Sequence, residues 1–134
     1  LKGINMKVLI ADDDKDLCQL LSAVLRTQGH EVIFAFDAAQ ALSVARTNTP
    51  DVIVLDINMP GGTGTGALEK LKINLKTSMI PVLVITASKD EQHSTSMKQM
   101  GAAEFMRKPL DVEEFCETLH RITGIPALPT AAQG

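Results

Sequence analysis

The chain has 134 residues, of which 45% are hydrophobic, so it is long enough to form one domain with a buried core. Its net charge of −3 argues against the strongly basic surface that binds the phosphate backbone of nucleic acids. No apolar run approaches the roughly 20 residues needed to cross a bilayer, and no segment resembles a signal peptide. Cys18 and Cys116 lie in helical patterns rather than at metal-ligand spacing, which favours reduced thiols. We therefore expect a soluble, cytoplasmic domain that binds neither nucleic acid nor membranes directly.

The first half of the chain predicts two strands, each followed by a helix. The run MKVLIA at 6–11 is almost continuously apolar, as in a strand buried on both faces. A helical pattern follows and ends at Gly29, where a left-handed C-cap fits. The run EVIFA at 31–35 predicts the second strand, and Asp37 can cap the second helix. The apolar residues at helical spacing are Leu17, Leu20, Leu21, Val24 and Leu25 in the first helix, and Ala38, Ala41, Leu42 and Ala45 in the second.

The second half of the chain continues the alternation with three more strands and three more helices. The strands are predicted at 51–55, at 80–85 with Pro81 near the start, and at 104–107. The apolar positions of the third helix are Leu68, Leu71 and Leu75, and those of the last helix are Phe115, Leu119 and Ile122. The helix between them, at 89–99, is weakly amphipathic, and its apolar stripe consists only of Met97 and Met100, together with His93.

Five repetitions of strand and helix with short connections predict a single doubly wound α/β domain. Its parallel sheet is covered by helices on both faces, because each right-handed crossover needs a helix packed on the sheet. We assign residues 6–123 to this domain and residues 1–5 to an N-terminal extension, with Met6 as the natural start. Residues 124–134 have no periodicity and contain two prolines, so they are interpreted as a flexible tail or the start of a linker.

Polar side chains follow four of the five predicted strands, at the point where each strand ends. Asp12 and Asp13 follow the first strand, and Asp56, Thr86 and Lys108 end the third, fourth and fifth. Since the carboxyl ends of parallel strands meet at one edge of the sheet, where ligands bind in such folds, these side chains are expected to lie close together.

The clustered carboxylates would repel one another, and a hard divalent cation such as Mg²⁺ would remove that conflict. Lys108 adds a fixed positive charge on the other side of the cluster. A carboxylate between two cations is well placed to attack phosphorus, since both cations neutralise the oxygens of a transferring phosphoryl group. The Thr86 hydroxyl can donate a hydrogen bond to the same oxygens. The product would be an aspartyl phosphate on Asp56.

The acidic run ADDDKD at 11–16 also has simpler interpretations. Acidic residues are common at helix N-termini, where they favour the helix dipole, and we assign Asp14 and Asp16 to that role. An EF-hand calcium loop fails because its sixth position is Leu17 rather than Gly and its twelfth is Ala23 rather than Glu.

Four separate motifs resemble, in order and spacing, the receiver domain of two-component response regulators (CheY-like proteins). They are VLIADDD at 8–14, VLDINMP at 54–60, VITA at 84–87 and FMRKP at 105–109. The resemblance extends from about Met6 to Thr123 and implies a five-stranded sheet in the order 2-1-3-4-5.

Carried over residue by residue, the resemblance makes Asp56 the phosphoacceptor. It implies that Asp13 and Asp56 bind Mg²⁺ directly, with Mn²⁺ as an alternative metal. Asp12 would act through water, and Asn58 would offer its main-chain carbonyl. Thr86 is similar to the family's switch hydroxyl.

The same resemblance assigns the remaining site residues. Ala87 follows the switch hydroxyl in the phosphoryl-binding segment, and Lys108 engages the phosphoryl group. Pro109 matches a proline preceded by a cis bond, a geometry almost confined to proline. Phe105 matches the aromatic switch position, although an ordinary core Phe on a short strand is an equal alternative.

The stretch MPGGTGTGAL at 59–68 resembles a dinucleotide-binding loop, because Gly62, Gly64 and Ala67 fit the spacing G-x-G-x-x-G/A. In such a loop the first glycine comes directly after the strand, whereas here DINMP intervenes. An acid is also expected about 20 residues later, at a position where this chain has Thr86. We therefore expect the glycines to let the loop after Asp56 turn tightly.

The glycine loop also departs from the receiver pattern, because Thr63 stands where many receivers carry Asp. Asn58 and Ser88 occupy positions that, in the family, tune how fast the phosphoryl group is lost.

The implied function is a phosphorylation-dependent switch rather than an enzyme, since the domain would catalyse only its own phosphorylation and dephosphorylation. A phosphohistidine of a sensor kinase or of a histidine phosphotransfer protein would supply the phosphoryl group.

Thr86 would then move toward the new oxygens and Phe105 would fill the space, which repacks the surface of the fourth helix, fifth strand and fifth helix. That surface would contact a downstream protein or an attached output domain, or form a homodimer on phosphorylation. The segment GAAEF at 101–105 and Thr118 depart from receivers attached to winged-helix domains, which favours another output or none.

Two other classes stay open from the sequence. A haloacid dehalogenase-type phosphohydrolase carries D-x-D at the strand end, but Asn58 stands at the second position and cannot exchange a proton. A pseudo-receiver would keep the fold and bind partners without phosphorylation, against which the intact acidic pair, Asp56, Thr86 and Lys108 argue.

Overall fold

The computed structural model describes residues 5–59, 64–89 and 92–127, and of Gly64, Gln92 and His93 only the backbone. The strands in these ranges are β1 (Lys7–Ala11), β2 (Glu31–Ala35), β3 (Val52–Asp56), β4 (Val82–Thr86) and β5 (Glu104–Arg107). The helices are α1 (Lys15–Thr27), α2 (Ala38–Asn48), α3 (Gly64–Ile73), α4 (Gln92–Gln99) and α5 (Val112–Thr123). The predicted alternation of strand and helix is therefore confirmed.

The strands form one parallel sheet in the order β2-β1-β3-β4-β5, as expected from the resemblance to receiver domains. The chain starts near the middle, moves out to β2, and then returns past β1 to build the other half. Val8 lies opposite both Val32 and Val52 in the register, and Asp56 lies opposite Ile85. Since all five strands run in the same direction, the residues that follow β1, β3, β4 and β5 reach one edge of the sheet.

Alternate residues of each strand pack on opposite faces of the sheet, which produces two cores. On one face, Leu9 and Ile53 pack with α2, α3 and α4, to which Ala41, Leu68 and Met97 belong. On the other face, strand residues pack with α1 and α5; the members include Val8, Ile10, Val54, Leu21, Leu25, Phe115 and Leu119. Both faces are covered, as the near-continuous apolar runs of the central strands predict.

Aspartates begin three of the helices by accepting a backbone hydrogen bond, which satisfies an otherwise unpaired N–H group. Asp14 caps α1 and Asp37 caps α2, as predicted, through bonds of 3.1 and 2.8 Å to the N–H groups of Leu17 and Gln40. Asp111 caps α5 in the same way. After α1 the backbone turns at Gly29 with a φ of +89°, which confirms the predicted left-handed position.

Two of the predicted apolar positions are wrong. Leu75 lies beyond the end of α3 and is 95% exposed, because the chain turns at Asn74, whose carbonyl accepts the N–H of Ser78. Leu20 is on α1 but 52% exposed, so it lies outside the stripe that contains Leu21 and Leu25. Helical spacing by itself gives no information on where a helix ends.

Several boundaries also differ from prediction. β3 and β4 each end one residue later than expected and so include Asp56 and Thr86. In the described ranges α4 spans Gln92–Gln99, Lys89 is not helical, and Met97 is buried as predicted. The side chain of His93 lies outside the described residues, as do residues 1–4 of the predicted extension and residues 128–134 of the predicted tail.

The two cysteines are free and buried, which agrees with the expectation of reduced thiols in helices. At the start of the predicted tail, Ile125 packs against the α1–α5 face, and its carbonyl oxygen lies 2.8 Å from Nδ1 of His120. The described part of the chain contains no helix whose length and apolar character would suit it to spanning a bilayer.

Candidate functional site

Four strand ends bring the predicted polar residues to one edge of the sheet. Asp12 follows β1, Asp56 ends β3 and Thr86 ends β4, and all three are at most 3% exposed. Lys108 follows β5, and its backbone N–H donates a 2.8 Å hydrogen bond to the carbonyl of Thr86. The parallel register therefore places these side chains side by side at the carboxyl edge of the sheet.

Asp12, Asp13 and Asp56 form a carboxylate cluster at this edge. One oxygen of each lies within 4.8 Å of the others, and Asp13 is the exposed member. Burial raises the pKa of the Asp12 carboxyl above its ordinary value, and the negative charge of Asp56 adds to the rise. Lys108 and the backbone N–H of Asp14 act in the opposite direction. The cluster therefore concentrates negative charge in a largely buried volume.

Lys108 supplies the positive charge of the site. Its Nζ lies 2.8 Å from Oδ2 of Asp12 and 3.4 Å from Oδ2 of Asp56. Burial works against the charged ammonium, but the two carboxylates outweigh it, and the pKa of Lys108 lies above its ordinary value. At neutral pH the site therefore contains a fixed ammonium group beside the carboxylates.

The cluster contains three carboxylates and one ammonium group, which leaves negative charge for a further positive partner. Oδ2 of Asp12 forms an ion pair with Lys108 at 2.8 Å but has no hydrogen bond among the described residues. Buried carboxylate oxygens are normally paired or bind a metal. An all-oxygen donor set suits a hard divalent cation such as Mg²⁺, which uses one or two carboxylates and keeps several waters. The residues present therefore fit the predicted metal.

Asn58 connects two of the strand ends. Its backbone N–H donates to Oδ1 of Asp56 at 3.0 Å, and its side-chain Nδ2 donates to Oγ1 of Thr86, also at 3.0 Å. The backbone N–H of Ser88 donates to the same Thr86 oxygen at 3.0 Å. The metal-binding carbonyl of Asn58 and the influence of this position on phosphoryl loss both stay predictions. The contact of its side chain with Thr86 was missed, although the position of Asn58 and Ser88, each two residues beyond a strand end, was a signal for it.

The remaining predicted residues lie on or after β4 and β5, or outside the described residues. Phe105 on β5 is half-buried against the α2–α3–α4 face, so it is not a fully buried core residue, and it lines an open depression with Ser94, Thr95 and Arg107. Ala87 follows β4 and is exposed. The peptide bond between Lys108 and Pro109 is cis. Gly62 and Thr63 of the glycine loop lie outside the described residues.

Comparison with known proteins agrees with this geometry. The family model described as the response regulator receiver domain matches residues 8–120. The protein PilH of Pseudomonas aeruginosa is 34% identical over 116 residues, which cover 87% of this chain and 96% of PilH. The alkaline phosphatase synthesis transcriptional regulatory protein PhoP of Bacillus subtilis is 34% identical over 111 residues, but the match covers only 45% of PhoP.

Solved structures show the same fold. The chemotaxis response regulator CheY4 of Vibrio cholerae has a TM-score of 0.81 and 31% identity, with 88% of this chain and 98% of that chain covered. The receiver domain of the Francisella response regulator 1452 has a TM-score of 0.81 and 30% identity, with 90% and 98% covered. With a family match over most of its length and the same carboxyl-edge architecture, the chain belongs to the receiver domain family of two-component response regulators.

Proposed function

We propose that this receiver domain is a phosphorylation-dependent switch that accepts a phosphoryl group on Asp56 in a Mg²⁺-dependent reaction. The observation that carries the proposal is the setting of the Asp56 carboxylate, which is 3% exposed, belongs to the acidic cluster and lies 3.4 Å from the Lys108 ammonium. The donor would be the phosphohistidine of a sensor histidine kinase or of a histidine phosphotransfer protein.

The proposed reaction is a phosphoryl transfer from nitrogen to oxygen. A carboxylate oxygen of Asp56 attacks phosphorus, the new O–P bond forms, and the N–P bond of phosphohistidine breaks, with its electron pair returning to the imidazole ring. Lys108 neutralises charge on the transferred oxygens, and the Thr86 hydroxyl can donate a hydrogen bond to one of them. The backbone N–H of Asn58 holds the other carboxylate oxygen, Oδ1, in place.

The proposed metal site consists of the carboxylates of Asp12, Asp13 and Asp56, with Mg²⁺ as the preferred ion and Mn²⁺ as an alternative. When bound, the metal neutralises developing charge on the phosphoryl oxygens. Support comes from the charge of the cluster, in which one ammonium group faces three carboxylates, and from the buried Oδ2 of Asp12, which is ion-paired with Lys108 but has no hydrogen bond among the described residues. The receiver domain of a Pseudomonas aeruginosa sensor histidine kinase, which shares the fold at 23% identity and a TM-score of 0.81, was solved with a magnesium ion coordinated in its active-site cleft.

The proposed output surface is formed by α4, β5 and α5. In this proposal the phosphoryl group attracts the Thr86 hydroxyl, and the half-buried Phe105 packs into the space that becomes free. Among the side chains of α4 that the structure describes, at positions 94–99, Met97 is the buried apolar one, so little of the described packing opposes a rearrangement. The surface would contact a downstream protein or an attached output domain, or form a homodimer on phosphorylation, without direct contact to nucleic acid. The chain spans less than half of PhoP, so an attached output domain is consistent with its relatives.

We further propose residues 6–123 as the switch domain, preceded by a short extension and followed by a tail or linker from residue 124. Its catalysis would be limited to its own phosphorylation and dephosphorylation. The proposed compartment is the cytoplasm, where the free thiols of Cys18 and Cys116 stay reduced.

Intact-mass spectrometry after incubation with acetyl phosphate and Mg²⁺ tests the proposal, with Asp56→Asn as the matched variant. We expect one phosphoryl adduct of the unsubstituted chain, no adduct of the variant, and loss of the adduct when EDTA removes the metal. If rapid sampling gives no adduct and beryllofluoride does not bind, the protein is a pseudo-receiver and the proposal fails.

A further inference from the structure

We infer that Asn58 is a positioning residue that orients the Thr86 hydroxyl as a hydrogen-bond donor for the phosphoryl group. The inference rests on the proposed function of the site. It concerns the direction in which the Thr86 hydroxyl hydrogen points. It does not concern the rate at which the phosphoryl group is lost.

The first step is the hydrogen bonding of the Thr86 hydroxyl. A hydroxyl oxygen has two acceptor lone pairs and one hydrogen to donate. Nδ2 of Asn58 and the backbone N–H of Ser88 each donate to Oγ1 of Thr86 at 3.0 Å. These two donors occupy both lone pairs, and neither bond uses the hydroxyl hydrogen. No acceptor for that hydrogen is present among residues 5–59, 64–89 and 92–127, so within this part of the chain the hydroxyl acts as an acceptor and its hydrogen remains to be donated.

The second step is the burial of this group. Thr86 is 0% exposed, so bulk water is not available to satisfy the hydrogen. A buried donor without a partner costs free energy, and this cost is recovered when an acceptor enters the site. A phosphoryl group on Asp56 brings such acceptor oxygens, since phosphate oxygens accept hydrogen bonds strongly.

The third step is the connection between Asn58 and the phosphoacceptor. The backbone N–H of Asn58 binds Oδ1 of Asp56 at 3.0 Å, while the side chain of the same residue binds Thr86. One residue therefore contacts both the phosphoacceptor and the hydroxyl. The backbone bond survives any substitution at this position except proline, whereas the side-chain bond is specific to Asn58.

The side chain can be tested because Asn58 is exposed, so its replacement is expected to leave the fold intact. The chain has no Trp and no Tyr, so calorimetry or ¹⁹F NMR is preferable to intrinsic fluorescence for following beryllofluoride binding in saturating Mg²⁺. We expect Asn58→Ala to weaken beryllofluoride binding about fivefold to tenfold, the equivalent of one hydrogen bond. Mg²⁺ binding without beryllofluoride should change less than about twofold, since the affected hydroxyl does not bind the metal.

A second substitution separates the orientation of the hydroxyl from other effects. Asn58→Asp is nearly isosteric, but a carboxylate can only accept, so it should take the Thr86 hydrogen and weaken beryllofluoride binding more than Asn58→Ala. Asn48→Ala is the matched control, because the Asn48 side chain donates to the Val44 carbonyl within α2, away from the site, and should leave binding unchanged.

The decisive comparison repeats Asn58→Ala in a Thr86→Val background, which forms a double-mutant cycle. If Asn58 acts through the Thr86 hydroxyl, its substitution should have less than a twofold effect once that hydroxyl is gone. The inference is overturned if Asn58→Ala weakens beryllofluoride binding equally with and without Thr86→Val, or if it does not weaken binding while Thr86 is present. Either result leaves the proposed function intact. If the unsubstituted protein fails to bind beryllofluoride, the proposed function fails first and the inference fails with it.

Discussion

Lys108 lies closer to Asp12 than to Asp56, at 2.8 Å from Oδ2 of the first and 3.4 Å from Oδ2 of the second. The shorter contact, to the fully buried Asp12, is an ion pair without a hydrogen bond, whereas the longer contact, to Asp56, is a hydrogen bond, so both carboxylates share the ammonium. Lys108 thus balances the charge of both carboxylates.

Replacing Lys108 by Ala should raise the affinity for Mg²⁺ and lower the stability of the metal-free protein. The carboxylates of Asp12 and Asp56 lose their ammonium partner, which is expected to destabilise the fold by about 1–3 kcal/mol at pH 7. The same loss removes a positive charge that competes with the cation, so Mg²⁺ should bind about tenfold more tightly. Urea unfolding without metal and calorimetric titration with Mg²⁺ measure the two effects.

Lys98→Ala is the control for this prediction, because Lys98 pairs with Glu104 on the surface at 3.0 Å, away from the acidic cluster. An exposed pair contributes only about 0–1 kcal/mol and should not affect Mg²⁺. Equal Mg²⁺ affinities of Lys108→Ala and the unsubstituted protein would contradict the assigned role of the lysine.

His30 should make the fold less stable below neutral pH. Burial lowers the pKa of His30, with a further contribution from His120, whose ring lies 5.4 Å away. Between the lowered folded pKa and the unfolded value of about 6.5, the unfolded chain binds more protons. The contribution of His30 is therefore complete above pH 6.5 and is lost as the pH falls, with a slope of at most about 1.4 kcal/mol per pH unit.

Urea unfolding between pH 7.5 and 5.5 checks this, with His30→Asn as the reference. Nδ1 of His30 accepts the backbone N–H of Met6 at 2.9 Å, and the Asn side chain retains an acceptor but does not titrate. The free energy of unfolding of the variant should fall less steeply as the pH is lowered. Identical pH dependence of the two proteins would show that His30 is not responsible.

Cys18 should react slowly with thiol reagents in the folded protein. Burial, followed by the nearby carboxylates, raises the pKa of its thiol to about 11. At pH 8 a rise of about two pKa units leaves roughly a hundredfold less thiolate than a cysteine with the ordinary pKa has. Labelling with iodoacetamide, followed by mass spectrometry, should show protection in buffer and rapid modification in urea. Modification at the rate of a free thiol without denaturant would contradict the buried position.

Leu71 and Leu75 should differ sharply in their contribution to stability, although both fit the same helical spacing. Leu71 is fully buried in the core between the sheet and α3, whereas Leu75 is 95% exposed in the turn after α3. Leu71→Ala should lower the free energy of unfolding by about 2–5 kcal/mol. Leu75→Ala should change it by no more than about 0.5 kcal/mol. Chemical denaturation of both variants measures the difference, and a comparable loss in each would mean that the turn packs on the core.

Local patterns in the sequence were sufficient for most of the secondary structure. The short strand at 104–107 and the run at 31–35 were located without error, because β-strand composition and flanking breakers are local properties. The end of α3 was not predictable, since Leu75 continues the helical spacing that Leu68 and Leu71 begin. What ends the helix is a set of hydrogen bonds around Asn74 and the anchoring of Lys72 Nζ on the carbonyls of Ser78 and Ile80.

The sequence by itself determined the fold and the composition of the site. Five apolar runs alternating with helical patterns require a parallel sheet, and parallel strands carry the residues at their carboxyl ends to one edge, so Asp12, Asp56, Thr86 and Lys108 had to meet. Only the tertiary structure decided which of them pair. Lys108 pairs with Asp12 more closely than with Asp56, and Asn58 binds Thr86, because such contacts depend on distances between strands that are far apart in the chain. Spacing along a sequence carries the order of the strands, whereas the difference between 2.8 and 3.4 Å for two partners of one lysine is a property of the packed molecule.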